Sequence, residues 1–291
     1  EPYFFNKWDL NVTVNRKRTW DKGNAAVVAD NDTFSDIGSD MNTIDFTKLK
    51  RTPIDVALLP DNATKLCPAI GKCLYKGGKV LTPVPGCHDN SFTLDFNSLY
   101  LRIMVLHTIC LTNLVMGSDG YVYLINNPKA PTVQLLNKLF ALRSSYKKLR
   151  DNYEVGTFQY NLYDKLQNAI KRIANSIYGY YGIFFKPIAN YITRIGRQML
   201  SKAIKKIESM SDNREVCDKF GIDSMSLKVI YGDTDSTFVK IDVKSKHEID
   251  NEKIKNILNY IVEMLNPSLE GHNMALENII PRLILLKKYG S

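Results

Sequence analysis

The stretch VIYGDTDSTFV (Val229–Val239) places the strongest constraint on the fold of this chain. Two apolar runs flank Asp233 and Asp235, which predicts a buried β-hairpin with carboxylates at its turn. Carboxylates at a buried strand end are costly unless a cation compensates them, and such oxygen ligands suit Mg²⁺. Gly232 permits close backbone approach or an unusual φ beside the turn. An acidic turn in solvent is the simpler alternative.

Strand-like and helical segments alternate along the rest of the chain. Two further strands are predicted at Ser91–Phe96 and Tyr121–Asn126. Apolar residues at helical spacing predict four helices, which cover Thr132–Asn152, Leu162–Gly182, Ile192–Met210 and Asn251–Asn266. A short polar linker joins the first two helices, so we expect them to form an antiparallel pair. This order of elements predicts an α+β fold with a helical insertion between its sheet elements.

Charge and hydropathy narrow the class of partner. The chain has 291 residues and a formal net charge of +9, which favours a polyanionic partner, nucleic acid before membrane. A solvated basic surface without a partner is the alternative. The most apolar run, Leu99–Met116, carries Arg102 and His107, so it predicts a buried helix rather than a membrane span.

A second acidic strand gives the hairpin a possible companion. Asp95 lies between apolar residues in TLDFNSLY. If its strand lies beside the hairpin, Asp95, Asp233 and Asp235 form one cluster that could hold two Mg²⁺ ions roughly 4 Å apart, as in-line phosphoryl displacement requires. Two predicted helices each place basic residues on one face, and the second also carries an aromatic ring. Such faces could bind the phosphates and the nucleoside of a nucleotide. The residues are Arg143 and Lys147 on the first helix and Lys171, Asn175 and Tyr178 on the second.

Five motifs in a fixed order resemble those of family B DNA polymerases. DFNSLY, KRIANSIYG and YGDTDS resemble motifs A, B and C of that family. YKGG (Tyr75–Gly78) resembles its linker between the exonuclease and polymerase regions, and KKY (Lys287–Tyr289) resembles its basic primer–template motif. The resemblance covers about residues 74–289 and is closest to baculovirus-type viral DNA polymerases. Five ordered motifs are far more specific than any one of them.

The resemblance implies an antiparallel-sheet palm backed by helices, with an inserted two-helix fingers subdomain. The implied division is a pre-palm segment and linker over residues 1–89, a first palm part over 90–127, fingers over 128–186 and a second palm part over 187–291. The exonuclease motifs and the thumb have no counterpart here. We therefore expect a palm-and-fingers fragment that is inactive in isolation.

The resemblance also implies roles for individual residues. Asp95 and Asp235 correspond to the main metal ligands, Asp233 to a second motif C carboxylate, and the Phe96 backbone to part of a metal shell. Tyr100 corresponds to the sugar-selecting tyrosine, whose ring blocks a 2′-hydroxyl. The remaining implied nucleotide-binding residues are Ser98, Leu99, Arg143, Lys147, Lys171, Asn175, Tyr178 and Gly179. The implied DNA-binding residues are Gly196, Arg197, Lys287, Lys288 and Tyr289.

The implied activity is template-dependent transfer of a dNMP from a dNTP to a primer 3′-hydroxyl, with two Mg²⁺ ions, in viral DNA replication. The implied partners are primer–template DNA, a dNTP and a processivity factor, without a membrane, and the implied location is the host nucleus. One departure from the family pattern is Leu101, which replaces the usual proline after Tyr100.

Two alternatives stay open at the level of sequence. A metal-dependent glycosyltransferase could use Asp233 and Asp235 to hold a nucleotide sugar, although it leaves Asp95 and Lys171 without a role. A non-catalytic DNA-binding module would explain the basic charge, although its three carboxylates would repel the phosphates. UDP-sugar binding without DNA binding would favour the first, and salt-sensitive DNA binding that ignores Mg²⁺ and dNTP would favour the second.

Overall fold

The computed structural model describes residues 43–45, 52–72, 75–246 and 250–286. Its strands in chain order are β1 (Thr43–Asp45), β2 (Thr64–Pro68), β3 (Ile70–Lys72), β4 (Gly86–Phe96), β5 (Leu114–Met116), β6 (Tyr121–Leu124), β7 (Ser224–Asp233), β8 (Ser236–Lys244) and β9 (Met274–Leu285). Its α-helices are α1 (Leu99–Leu106), α2 (Pro131–Arg150), α3 (Phe158–Phe184), α4 (Lys186–Ser209), α5 (Arg214–Phe220) and α6 (Asn251–Leu265). Helices and antiparallel sheets together confirm the predicted α+β class.

A four-stranded antiparallel sheet in the order β7–β8–β4–β9 organises the centre of the fold. The end of β4 is buried: Phe92, Leu94 and Phe96 are at most 2% exposed, and Ser91 and Thr93 between them are also buried. Helix α4 contacts β7, and α6 contacts both α4 and β9. One face of the sheet is thereby covered by helices, and the end of β4 is held rigidly between two neighbours.

The predicted helical pair is present as α2 and α3, joined by residues 151–157. The two helices lie side by side, with Arg143 Nε donating to Gln167 Oε1 at 3.2 Å and Arg150 Nη1 pairing with Asp164 at 3.1 Å. Thr157 caps α3 by accepting from the Tyr160 amide. One non-helical residue, Phe185, separates α3 from α4. Pro187 lacks an amide hydrogen, so it fits the first turn of α4 but could not continue α3.

The apolar run Leu99–Met116 is buried, but the prediction of one helix over it is wrong. Helix α1 ends at Leu106, and Thr108 adopts a left-handed backbone with φ 48°. Asn113 holds the following turn by donating its side-chain amide to the carbonyls of Thr108 (2.6 Å) and Asn127 (3.1 Å). The run then continues into β5. No helix within the described ranges is long and apolar enough to cross a membrane.

The predicted subdomain boundaries stay predictions. Helices α2 and α3 lie within the predicted fingers range, 128–186. The boundary at 89/90 falls inside β4, and the small sheet β2–β6–β5 pairs strands from both sides of it. Hydrogen bonding thus joins the pre-palm segment to the first palm part.

Candidate active site

The two acidic strands meet at one serine. Ser236 at the start of β8 lies opposite Asp95 on β4 and opposite Asp233 on β7. The Phe96 amide also donates to the Asp235 carbonyl at 2.9 Å. The strand of Asp95 therefore lies beside the hairpin, which is the condition on which the carboxylate cluster depended.

The hairpin turn itself is tightly constrained. Thr234 has φ 56°, and its hydroxyl donates to Asp233 Oδ1 at 2.8 Å. A Cβ at Gly232 would lie 3.1 Å from both Leu81 Cδ1 and the Ser236 carbonyl oxygen. Of the two uses of Gly232 foreseen from sequence, the structure therefore realises close approach rather than an unusual φ.

A cavity of about 390 Å³ lies between the hairpin, α1, α2 and α3. It brings together most of the residues that the sequence predicted for the site. Those among its lining are Asp95, Phe96, Ser98, Leu99, Tyr100, Arg143, Lys147, Lys171, Asn175, Tyr178 and Asp235. Acidic, basic and aromatic groups thus face one space large enough for a nucleotide-sized ligand.

The acidic side of the cavity is electrostatically strained. Burial first, and then the charges of Asp235 and Glu277, raise the pKa of Asp95 to about 6, although Lys171 partly offsets this. Burial is also the main cause that raises the pKa of Asp235, and Asp233 adds to it. Half-buried carboxylates that repel one another favour a cation between them.

The basic side of the cavity consists of Arg143, Lys147 and Lys171. Partial burial lowers the pKa of Arg143. Partial burial, followed by the nearby cations Arg143, Arg150 and Lys171, lowers the pKa of Lys147, although its side chain is largely exposed. None of the three forms a salt bridge within the described part of the chain. Uncompensated cations at this spacing favour an anionic ligand.

Two tyrosine rings form another wall of the cavity. The Tyr100 and Tyr178 ring centroids are 4.7 Å apart, and the Tyr178 hydroxyl lies 3.0 Å from that of Tyr75. Burial raises the pKa of Tyr100 to about 12 and also raises that of Tyr178, so both hydroxyls stay protonated at neutral pH. A Cβ at Gly196 would lie 2.9 Å from Tyr100 Cε1. Gly196 thus makes room for the Tyr100 ring.

Helix α1 supplies a further polar element. It begins at Leu99, and no side chain caps it, because Ser98 at the cap position makes no such hydrogen bond. The first amides of any helix lack intrahelical partners and attract anions. The backbone at Ser98 and Leu99 therefore suits a phosphate, as the family resemblance implied.

Several predicted residues lie away from the cavity. Asp233 is exposed and does not line it, and Gly179 is exposed on α3. Gly196 is buried beneath Tyr100, and Arg197 Nη1 donates to the carbonyls of Lys76 and Gly77 at 2.7 and 2.6 Å. DNA contacts of Gly196 and Arg197 stay predictions. The residues Lys287, Lys288 and Tyr289 lie outside those the structure describes.

Sequence reasoning did not assign Asn97, Leu101 or Thr234 to the cavity that they line, and it missed two contributors from outside the lining. Glu277 on β9 acts electrostatically on Asp95 and Asp235, but no spacing pattern marks it, because its strand joins the site from far along the chain. Tyr75 was assigned to a linker, yet its hydroxyl reaches Tyr178. The YKGG motif marked Tyr75 as part of a family motif, but it did not indicate that the Tyr75 hydroxyl lies beside Tyr178.

The carboxylates of the cavity fit a divalent cation whose coordination shell is completed by the phosphates of a bound nucleotide. Among the described residues, no group of three or more His, Cys, Asp or Glu side chains is arranged to hold a metal ion. Mg²⁺ usually takes one or two protein carboxylates and completes its shell with substrate phosphates and water. Asp95 and Asp235, with the Phe96 backbone beside them, satisfy that requirement.

Comparisons with known proteins identify the family of this chain. The family model for DNA polymerase family B matches residues 27–289. The DNA polymerase of Autographa californica nuclear polyhedrosis virus is 45% identical over 99% of this chain and 27% of its own length. That of Orgyia pseudotsugata multicapsid polyhedrosis virus is 42% identical over 99% of this chain and 28% of its own length. The chain thus spans about a quarter of the length of these relatives.

More distant proteins match over smaller parts. The DNA polymerase alpha catalytic subunit of Arabidopsis thaliana is 31% identical over 74% of this chain and 13% of its own length. The solved family B DNA polymerase of Pyrobaculum calidifontis aligns with a TM-score of 0.47 and 24% identity, over 77% of this chain and 28% of that one. Since the family model matches nearly the whole sequence, this chain belongs to DNA polymerase family B.

Proposed function

We propose that this chain carries the nucleotidyl-transfer site of a DNA-directed DNA polymerase. The reaction joins the α-phosphate of a paired dNTP to a primer 3′-oxygen and releases pyrophosphate. The observation that carries the proposal is the single cavity in which Asp95 and Asp235 face Arg143, Lys147 and Lys171. Such a cavity suits a triphosphate that the cationic side chains bind directly and that the carboxylates would bind through a divalent cation.

The basic side of the cavity binds and orients the triphosphate. Arg143, Lys147 and Lys171 stand on two antiparallel helices, so they meet the phosphates from one wall. The amides at the start of α1 meet them from another. These contacts hold the α-phosphate for in-line attack, because alignment of the reacting atoms supplies a large share of the rate acceleration.

The acidic side would hold two Mg²⁺ ions through Asp95, Asp235 and the Phe96 backbone, with Asp233 in a secondary role. When bound, Mg²⁺ supplies Lewis-acid stabilisation of the phosphoryl oxygens and of the attacking and leaving oxygens. Asp95 and Asp235 must be ionised for this purpose. Lys171 favours their ionised forms, because it lowers the pKa of each.

The aromatic wall selects the sugar and the base pair. Tyr100 would present its ring to the 2′-hydroxyl of a ribonucleotide, and Gly196 beneath it makes room for the ring in this position. The Tyr178 ring contacts that of Tyr100, and Asn175, three residues before Tyr178 on α3, lines the same cavity. Rejection of ribonucleotides would therefore be steric.

Wider aspects of the proposal rest on the viral relatives. We propose primer–template DNA and a dNTP as partners, a processivity factor as a further partner, and viral DNA replication in the host nucleus as the setting. Neither alternative reading gains support from the cavity: a nucleotide-sugar glycosyltransferase leaves Lys171 and Tyr178 without a role, and a passive DNA-binding module leaves the carboxylates without one.

The test is primer extension by a complete family B DNA polymerase in which this chain replaces the corresponding segment, here termed the graft. Asp235→Ala and Asp95→Ala should each lower Mg²⁺-dependent extension by roughly 100-fold or more, because each removes a carboxylate that would hold the Mg²⁺ whose charge stabilises the transition state. Asp242→Ala is the matched control, since Asp242 lies on β8 outside the cavity and pairs with Lys240.

Three results are informative. Extension by the graft and by Asp242→Ala, but not by Asp235→Ala, supports the proposal. Equal extension by all three rejects the role of Asp235. If the unsubstituted graft folds, as shown by a cooperative melting transition, and yet extends no primer, the proposed activity is rejected for this chain.

A further inference from the structure

The segment Tyr75–Val84, here termed the strap, lies along the outer edge of the hairpin. The Val84 amide donates to the Ile230 carbonyl at 2.9 Å, and the Leu81 amide donates to that of Gly232 at 2.8 Å. At the turn the direction of donation reverses, and the Thr234 amide donates to the Lys79 carbonyl at 2.9 Å. The strap thus follows β7 as far as the turn that carries the carboxylates.

Helix α4 holds the other side of the strap. Thr193 Oγ1 donates to the Lys76 carbonyl at 2.7 Å, and Arg197 Nη1 donates to the carbonyls of Lys76 and Gly77 at 2.7 and 2.6 Å. Lys79 Nζ lies 2.9 Å from Ser201 Oγ. Because the backbone of Lys76 and Gly77 and the side chain of Lys79 are hydrogen-bonded to α4, the strap cannot move without breaking several hydrogen bonds.

Gly78 is the point of closest approach between the strap and the turn. A Cβ at Gly78 would lie 2.5 Å from Thr234 Oγ1, 3.0 Å from its Cγ2 and 3.1 Å from its Cβ. A Cβ at the neighbouring Gly77 would meet nothing within 4 Å. An added methyl group would therefore clash with Thr234 at Gly78 but would meet no neighbour at Gly77, although the two glycines are adjacent in the sequence.

A displacement of Thr234 would reach Asp235 directly. Thr234 already has a left-handed backbone, and Asp235 follows it with its carbonyl bonded to the Phe96 amide. The turn has little freedom to absorb a shift, since Gly232 on its other side is packed against Leu81. The easiest response to a methyl group at Gly78 is thus a movement of the residue between the two aspartates.

We propose that Gly78 is a positioning residue: its lack of a side chain lets the strap press Thr234 into place, and the turn then holds Asp235 beside Asp95. Arg197 serves the same end from the opposite side by fastening the strap to α4. This inference rests on the proposed nucleotidyl-transfer function. It assigns to the YKGG segment a role in fixing the position of the Asp235 carboxylate relative to that of Asp95.

The experiment compares Gly78→Ala with Gly77→Ala in the graft. Gly78→Ala should lower the single-turnover rate constant at saturating dNTP by roughly 10-fold to 100-fold, because a displacement of about 1 Å at a reacting centre has effects of that size. It should also raise the Mg²⁺ concentration needed for half-maximal rate. Primer–template affinity and the melting temperature should stay close to those of Gly77→Ala, which should match the unsubstituted graft.

A rescue variant tests the contact itself. Thr234→Gly removes the atoms that a methyl group at position 78 would meet, and glycine accepts the left-handed backbone. The double variant Gly78→Ala, Thr234→Gly should therefore be faster than Gly78→Ala alone. That non-additivity is the sign of direct contact.

Arg197→Ala provides a second route if Gly78→Ala does not fold. Because it releases the Lys76 and Gly77 carbonyls, it should lower the rate constant and raise the Mg²⁺ requirement, whatever its effect on primer–template affinity. A loss of DNA affinity alone in Arg197→Ala, or equal rates for Gly78→Ala and Gly77→Ala, overturns the proposal. Asp235→Ala in the same assay distinguishes failure of the positioning role from failure of the proposed function. If Asp235→Ala is inactive while Gly78→Ala is fully active, the positioning role of Gly78 is rejected and the proposed function stands.

Discussion

Asp95 occupies a place where its own negative charge is unfavourable. Its pKa is raised to about 6, by burial first and by Asp235 and Glu277 next. A carboxyl whose pKa is higher in the folded state binds its proton more tightly there, so stability falls as the pH rises from the ordinary value of 3.8 through about 6. At neutral pH without a cation, the folded chain carries the full penalty.

Removal of that charge should therefore stabilise the chain. We expect Asp95→Asn to raise the free energy of unfolding at pH 7.5 by about 1 kcal/mol, a figure reduced from the full pKa shift because the group is half exposed. Urea denaturation with a chelator present measures it. Asp242→Asn should show no gain, since that carboxylate has Lys240 as a partner. A loss of stability in Asp95→Asn would contradict the electrostatic account.

The ring of Tyr100, rather than its hydroxyl, should govern sugar selection. Tyr100→Ala should raise the efficiency of ribonucleotide incorporation relative to deoxyribonucleotide incorporation by roughly 10-fold or more, because it opens the space above Gly196. Tyr100→Phe keeps the ring and should retain discrimination. Steady-state incorporation of matched dNTP and rNTP in the graft measures both. Unchanged discrimination in Tyr100→Ala would remove this residue from the sugar-selecting role.

At the scale of elements, the end of α1 rests against the turn that precedes β9. His272 in that turn is 2% exposed, and its Nδ1 lies 3.0 Å from the Leu269 carbonyl. Burial lowers the pKa of His272, with Arg102 acting in the same direction and Glu270 against it. Burial also lowers the pKa of His107 at the end of α1, and His272 adds to that effect. The contact between these elements therefore depends on neutral imidazoles.

Acid should loosen this contact before most carboxylates titrate. A histidine whose folded pKa is lowered takes up its proton more readily when unfolded, so the free energy of unfolding should fall as the pH drops below about 6.5. His272→Asn should reduce that fall between pH 6.5 and 5. Denaturant titrations of both chains across this range measure the difference. Parallel pH profiles would show that His272 does not contribute.

Element types were largely predictable, and element ends were predictable only where local chemistry marks them. Helix α3 carries its own N-cap, Thr157, but the predicted start was Leu162, because the first turn leaves Phe158 76% exposed and does not continue the apolar stripe. The early end of α1 depends on the turn held by Asn113, whose partners lie on both sides of it in sequence. Periodicity cannot report such a contact.

At the scale of the whole molecule, most of the cavity's residues were predictable because each motif is a short contiguous stretch: motif A joins β4 to α1, motif B lies on α3, and motif C joins β7 to β8. The partners that position those residues were not. Glu277 and Tyr75 act across the fold, and Gly78 matters only because Thr234 lies opposite it. Pairings of this kind follow from tertiary contacts, which no local pattern encodes.

The pairing of β4 with β9 affects the order in which the sheet can form during synthesis. Asp89 and Arg282, which face each other across these strands, are 193 residues apart in the sequence. During synthesis, the strand that carries Asp95 must therefore wait for the 193 residues that separate Asp89 from Arg282 before both of its edges are covered. Non-local pairing of this kind folds slowly and leaves strand edges open to other chains. We expect nascent chains truncated before β9 to aggregate.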